Sequence, residues 1–306
     1  MKPARRDGGD GIDGVLLLDK PSGVSSHAAV QKAKRLYRAR KAGHTGTLDP
    51  LATGLLPVCL GEATKFSHLL LDADKSYVAT IRLGVTTATG DLEGEVTGRA
   101  PVSVAREAAE AVLRRFVGEI LQVPPMHSAI KQGGQPLYKL ARAGRAVPRA
   151  PRRVVIRDLA LAGFGETELE ISVTCSKGTY IRVLAEDIGR ELGCGACLAR
   201  LRRIAVGEFS LASGATGFER LETLVPGERE ALLLPADALV ASLPRFDLDA
   251  GEAGRLRRGQ PVELAEARAV GLARIYGPAR EFLGVAEVIA PGRIVPRRLK
   301  SQGAAA

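Results

Sequence analysis

AGHTGTLDPLATGLLP, residues 42–57, is the stretch from which the chain can be read outward. One carboxylate, Asp49, stands directly before a proline, with three glycines, three threonines and His44 close around it. Glycine has too much backbone freedom, and proline lacks a donor, for this stretch to be the interior of a helix or strand. It reads as a loop of fixed shape between two apolar runs. Upstream, GVLLLDK (14–20) runs into PSG, the pattern of a buried strand leaving through a turn. SSHAAVQKAKRLYRARK (25–41) opens on a serine N-cap and predicts a helix with Ala29, Ala33, Leu36 and Tyr37 inward and a cationic face outward. Downstream, LLPVCLG predicts a strand and EATKFSHLLL a second helix.

Further along, SYVATIRLG (76–84) alternates as a half-buried strand does, and ATGDLEGEVTG is a glycine-punctuated loop leading into more strand. SVAREAAEAVLRRFVG (103–118) predicts a helix with a capping-box-like start at Ser103. Strand signals return in RVVIRDLALAGF and ELEISVTCSKG, and TYIRVLAEDIGREL (179–192) predicts a helix stopped by Gly193. Strands and helices alternate irregularly, so the class is α+β, or mixed α/β, rather than doubly wound. A break near residue 244 precedes the short β-like pieces QPVEL, AVGLARIYG, EFLGVAEVIA and GRIVPRRLK, enough for a small appended β domain. The expected organisation is a tail (1–13), a large domain (14–240), a small domain (245–300) and a second tail (301–306).

At 306 residues and 45% apolar content the chain can bury a full core. Its net charge of +10, from 44 Lys and Arg against 34 acids, favours a polyanionic partner. The positive charge is clustered. KAKRLYRARK (32–41) holds six basic residues and no acid, and 131–157 holds eight and no acid. The second cluster overlaps an expected mobile basic insertion at 124–153, and such side chains would take up the phosphates of a polyanion in a salt-dependent way. The opening residues carry no apolar export segment, and no apolar run nears the roughly 18 residues of a spanning helix. The expectation is a cytoplasmic protein with no membrane contact. Four cysteines make no disulfide framework, and Cys194 with Cys197 forms a lone CGAC. His27, His68 and His127 lack metal-ligand spacing, and the glycine loop lacks the GK[ST] ending of a phosphate loop, so neither metal nor cofactor is expected.

LLLDKPSGVSSHAAV (16–30) followed by HTGTLDPLATGLLPVCLGEATK (44–65) resembles the catalytic region of the TruB family of tRNA pseudouridine-55 synthases. DKSYVATIRLGVTTATGDLEGEV (74–96), QVPPMHSAIKQGGQPLYKLARAG (122–144), CSKGTYIRVLAEDIGRELG (175–193) and ARLRRIAVGEF (199–209) extend the resemblance over roughly residues 14–210. It implies a pseudouridine synthase fold with a mixed, largely antiparallel sheet. The implied activity is isomerisation of one uridine in the T arm of tRNA to pseudouridine, without cofactor. The C-terminal segment is similar to a PUA domain, implying contact with the acceptor stem. A stand-alone enzyme, monomeric and needing no protein partner, is the leading expectation. A guide-RNA-dependent relative and a non-catalytic tRNA-binding or folding module are the alternatives.

Residue by residue, the resemblance assigns Asp49 as the catalytic carboxylate, either trapping the ribose covalently or taking a proton from it. Arg182 is the cation expected to pair with it. Tyr180 is expected to pack on the target base, Tyr77 to stack on it once flipped, and Leu201 to supply an apolar contact. His44 is expected to fill the space the base leaves. Lys20, Pro21 and Asp91 are expected to shape or support the site.

Overall fold

The computed structural model describes residues 11–128, 130–145 and 147–301; most of the two expected tails lies outside the described residues. Strands and helices follow in the order β1 Gly14–Lys20, α1 Ser26–Leu36, β2 Ala42–His44, β3 Thr53–Leu60, β4 Lys75–Leu83, β5 Val85–Thr87 and β6 Val96–Arg99. Next come α2 Arg106–Arg115, β7 Gly118–Gln122, β8 Lys131–Gln132, β9 Gln135–Pro136, α3 Leu137–Arg142, β10 Arg152–Phe164, β11 Glu168–Cys175, α4 Ile181–Glu191, β12 Ala196–Val206 and β13 Phe209–Ser210. The remainder is α5 Phe218–Thr223, α6 Pro226–Glu230, β14 Arg245–Asp247, α7 Ala250–Arg257, β15 Val262–Glu263, β16 Gly271–Tyr276, β17 Phe282–Ala290 and β18 Arg293–Leu299.

The main sheet runs β1-β3-β12-β4-β11-β10-β7, with β2 added to β3 and β13 to β12. All its pairings are antiparallel except β12 with β3, which meet in parallel at Arg202↔Thr53 and Arg203↔Gly54. It is the mixed, largely antiparallel sheet expected. β1 and β3 are apolar at nearly every position because both their faces are covered. Leu16, Leu18, Leu56 and Val58 pack into one core with Ala29 and Ala33 of α1 and Leu184 and Ile188 of α4. Val15, Leu17, Leu55 and Cys59 point the other way, into a second core with Phe66, Leu70, Leu239 and Val285. β4 buries only one face fully, with Tyr77, Ala79, Ile81 and Leu83 inward, which is why its sequence alternates.

A second sheet, β14-β16-β17-β18-β15, closes over a third core containing Leu256 of α7, Ile275, Leu283 and Val288. It is tied to the first. Phe282 meets Phe66 with ring centroids 5.1 Å apart, and the Tyr276 hydroxyl donates to Asp237 Oδ2 at 2.5 Å. Lys65 Nζ donates to Leu299 O at 3.0 Å and to Ser301 Oγ at 2.9 Å.

Two local expectations are corrected. EATKFSHLLL does not form an α-helix but two short 3₁₀ segments, Gly61–Lys65 and Ser67–Leu70. Phe66 between them is fully buried in the second core, and the tighter turns let it and Leu70 both reach that core. The helix expected from Ser103 starts three residues later, at Arg106, with Ala105 in the N-cap position and no side-chain cap. The DAGEAGRLRR stretch, assigned no element from sequence, forms the helix α7, capped by Asp249, which accepts from Glu252 N at 2.7 Å.

Candidate active site

The expectation that all of 42–57 is loop is corrected: Ala42–His44 form β2 and Thr53–Pro57 open β3, where pairing with β1 and burial on both faces override the glycine and proline, so that only residues 45–52 form the loop. That loop lies where β1, β3 and the start of α1 converge, and its shape is over-determined. The Ser26 hydroxyl, buried at the beginning of α1, accepts from Leu48 N at 2.7 Å and faces Leu48 O at 2.8 Å, clamping the residue before Asp49. Lys20, at the end of β1 and fully buried, donates to Val24 O at 2.7 Å, Pro21 O at 2.9 Å and Pro50 O at 3.4 Å. Its ammonium thus binds the DKPSG turn to the residue after Asp49. Burial lowers the Lys20 pKa to about 8, partly opposed by the charge of Asp49. Pro21 is exposed and contributes its carbonyl. Gly54 answers for one of the stretch's glycines: at φ +101, a Cβ there would lie 2.2 Å from Arg203 O, so β3 meets β12 this closely only without a side chain.

Asp49 Oδ2 accepts from Arg182 Nε at 3.0 Å. The carboxylate side chain is 39% exposed and its arginine partner 6%, so the acid can be reached while the cation is sheltered. Arg182 stands in the first turn of α4. Its other nitrogens donate to Thr89 O at 3.0 Å and His127 O at 2.9 Å, so that one guanidinium ties together three loops. Buried Asp91 lies 3.6 Å from the same Nε and is itself held by the Thr89 hydroxyl at 2.5 Å and Glu93 N at 3.2 Å. Arg182 therefore faces two carboxylates, one sheltered and one open to the cleft.

These groups line one cleft of about 820 Å³, with His44, Asp49, Tyr77, Asp91, Tyr180, Arg182 and Leu201 all in its wall. Tyr180 occupies the N-cap position of α4, its backbone held by Gln122 through N–H to Oε1 at 2.9 Å and Nε2 to C=O at 3.3 Å. Burial raises the Tyr77 and Tyr180 phenols, keeping both neutral hydroxyls. His44 Nδ1 accepts from Gly46 N at 3.2 Å; burial, then the nearby Arg203, lowers its pKa and favours the neutral ring. Of the residues singled out from sequence, Lys20 and Pro21 alone lie outside the wall, beneath the loop.

Sequence reasoning passes over Arg203, Lys75 and the hydroxyl of Ser26. Arg203 is 1% exposed and donates to Leu55 O at 2.7 Å and Gly46 O at 3.0 Å, and it stands across the β12–β4 strand pair from Tyr77. The signal that could have found it is strand alternation. Leu201 and Arg203, two apart on β12, stand opposite Ala79 and Tyr77 of β4 and share a face. As letters alone, RLRR reads instead as a phosphate-binding run. Lys75 Nζ donates to Leu71 O and Ala73 O, both at 2.6 Å, and burial, helped by Arg203, lowers its pKa to about 8.

Three family models match the chain in succession: the TruB family pseudouridylate synthase N-terminal domain over residues 34–181, the tRNA pseudouridylate synthase B C-terminal domain over 182–241, and the pseudouridine synthase II TruB C-terminal domain over 244–299. A tRNA pseudouridine synthase B of Methylobacillus flagellatus is 55% identical over 95% of this chain and 96% of its own length. The protein of the same name from Dechloromonas aromatica is 56% identical over 94% and 95%. Among solved structures, a chain of a Cbf5-Nop10-Gar1 complex superposes with a TM-score of 0.69 at 26% identity, covering 91% of this chain and 79% of that one. With these matches running over nearly its whole length, the chain belongs to the TruB family of pseudouridine synthases.

Proposed function

We propose that this protein is a tRNA pseudouridine synthase that isomerises uridine-55 in the T loop of tRNA, with Asp49 as its catalytic carboxylate. The observation that carries the reading is a reachable acid, Asp49, ion-paired at 3.0 Å to a sheltered arginine, in a cleft whose wall includes Tyr77, Tyr180 and Leu201. The reaction breaks C1′–N1, turns the uracil over and joins C1′ to C5; positive character develops on the ribose, and a carboxylate is the group to receive it. Arg182 fixes the direction of the Asp49 carboxylate and balances its charge. Asp91 in turn fixes Arg182. Tyr77 and Tyr180 give the everted base aromatic surfaces, Leu201 closes the apolar side, and His44 takes the place the base vacates. Lys20 and Pro21 hold the loop from below.

In this reading residues 14–240 carry the chemistry, the basic segment at 124–153 grips the T arm, and the sheet of residues 245–300 reaches toward the acceptor stem. The protein acts as a monomer and needs neither guide RNA nor protein partner. The relatives more than half identical along the chain are named tRNA pseudouridine synthase B, which favours this over a guide-dependent role. The intact Asp49–Arg182 pair disfavours a purely binding role. The test is incubation of the purified chain with unmodified tRNA, without additives, and mapping of pseudouridine. Conversion at position 55 is expected. No product, or product only with an added guide RNA, overturns the reading.

A further inference from the structure

Arg182 and Arg203 are both buried at the cleft, but their surroundings differ in kind. Arg182 faces the carboxylates of Asp49 and Asp91. Arg203 hydrogen-bonds only neutral groups, Leu55 O at 2.7 Å, Gly46 O at 3.0 Å and Thr47 O at 3.5 Å, and is paired across the strands with Tyr77. Among the described residues no carboxylate ion-pairs with it, whereas its neighbour Arg202 holds Asp19 at 2.7 Å. Taking a guanidinium out of water without a counter-charge is costly, and carbonyl dipoles return only part of that cost. The charge itself therefore asks for a purpose.

We propose that Arg203 is a positioning residue for the isomerisation, a fixed cation behind Tyr77 whose charge favours departure of the base as an anion. The inference rests on the function proposed above. When C1′–N1 breaks, the electron pair leaves with N1 and spreads onto O2 and O4 of the uracil. It is consumed when C5 bonds to C1′; C5 then gives up its proton and N1 gains one, so the isomerisation needs no co-reactant. The detached base lies against the aromatic wall that includes Tyr77, and Arg203, the cross-strand partner of Tyr77, lines the same cleft. Its charge acts across a layer that excludes water, where a fixed cation needs no reorganisation as negative charge develops. Arg203 also bonds the Gly46 carbonyl, so the same group fixes the loop leading to Asp49.

The experiment compares wild type, Arg203→Gln and Arg203→Lys for tRNA Kd, for thermal midpoint, and for single-turnover rate of base detachment on tRNA carrying uridine or 5-fluorouridine at the target position. Fluorine makes the base a better leaving anion and so lessens the need for an outside cation. The Gln variant is expected to be slowed about 100-fold on uridine, with Kd within about threefold and the midpoint retained. The Lys variant should regain about tenfold, and the Gln defect should shrink to below about tenfold on 5-fluorouridine. Equal losses in the Gln and Lys variants, a defect indifferent to fluorine, or a loss confined to Kd would overturn the proposal. If the Gln variant does not fold, citrulline at position 203, neutral and near-isosteric with arginine, replaces it with the same expected outcomes. Failure of the wild type to form pseudouridine would sink the parent reading; a working wild type with an unaffected neutral variant sinks only this one.

Discussion

The two sides of the cleft are built to different specifications. On one side, residues 44–54 are held by Lys20 of β1, Ser26 of α1, Arg182 of α4 and Arg203 of β12, four buried side chains from four separate elements, each bonded to backbone or to Asp49 itself. On the other, the basic segment after His127 is a two-residue-strand hairpin and the short helix α3, closed on itself by bonds such as Tyr138 N to Ser128 O at 3.0 Å and Arg149 donating to Pro124 O at 2.9 Å. The first side suits chemistry, which demands sub-ångström placement of one carboxylate. The second suits capture of a polyanion, which demands charge and reach but little fixed geometry. The lesson is that rigidity in this molecule is local and follows the reacting atoms.

The largest effect that tests this contrast is on Asp49. Asp49→Asn should abolish pseudouridine formation, by more than about a thousandfold, while tRNA Kd stays within a few-fold; comparable activity in the variant would remove the rigid side's reason to exist. Next comes Arg182→Lys, which keeps a charge but loses the fork that reaches Asp49, Thr89 O and His127 O together. A fall of about 100-fold in single-turnover rate with near-normal affinity is expected. A loss in affinity alone would mean that the arginine serves RNA binding instead.

Replacing 131–145 with a short Gly-Ser linker should do the reverse: weaken tRNA binding about tenfold and flatten the plot of log K against log salt by roughly 0.7–0.9 for each RNA phosphate that the segment neutralises. The saturating rate should change much less. An unaltered salt slope would break the division between the two sides.

The smallest effect concerns Lys20. Its folded pKa, about 8, lies below the unfolded value of 10.5, so the folded state binds fewer protons than the unfolded state between those values. Stability contributed by this group therefore rises with pH across that window; below pH 8 the full burial cost is present. Buried Cys59, raised to about 12, and Cys175, raised to about 11, act in the opposite sense above pH 9. The difference between wild type and Lys20→Met cancels the thiols. Met leaves the Val24 and Pro21 carbonyls without their donor and should cost about 1–3 kcal/mol at pH 7.5, and the gap should widen by pH 10. Denaturant melts at the two pH values measure it, and a constant gap would show that Lys20 is as readily charged in the fold as outside it.

Local pattern carried much of this architecture and of the site. The continuous apolar runs of β1 and β3, the alternation of β4, the serine cap of α1 and the stop at Gly193 are properties of neighbouring residues, and each is visible in a window of about ten positions. The centre of the 42–57 stretch, residues 45–52, likewise showed its loop character and its lone acid, whereas its flanks became β2 and β3. The resemblance of the ordered blocks named seven of the residues that line the cleft, but not Ser26, Lys75 or Arg203. Window-based reading failed where packing between distant segments overrode local preference, as at the 3₁₀ turns around Phe66, whose ring is claimed by Phe282 more than two hundred positions away.

The sequence alone determined that a fixed loop presents Asp49, that cations cluster in two acid-free runs, and that strands of two kinds, covered on both faces or on one, build the body. Tertiary structure alone decided which cations are buried and what each one faces. Arg182, Arg202 and Arg203 are indistinguishable as letters; one meets two carboxylates, one meets Asp19 near the surface, and one meets only carbonyls and a phenol. The physical reason is that a charge's energy depends on its solvent and its neighbours in space, and the parallel meeting of β3 with β12 brings together residues about 150 positions apart that no local pattern relates.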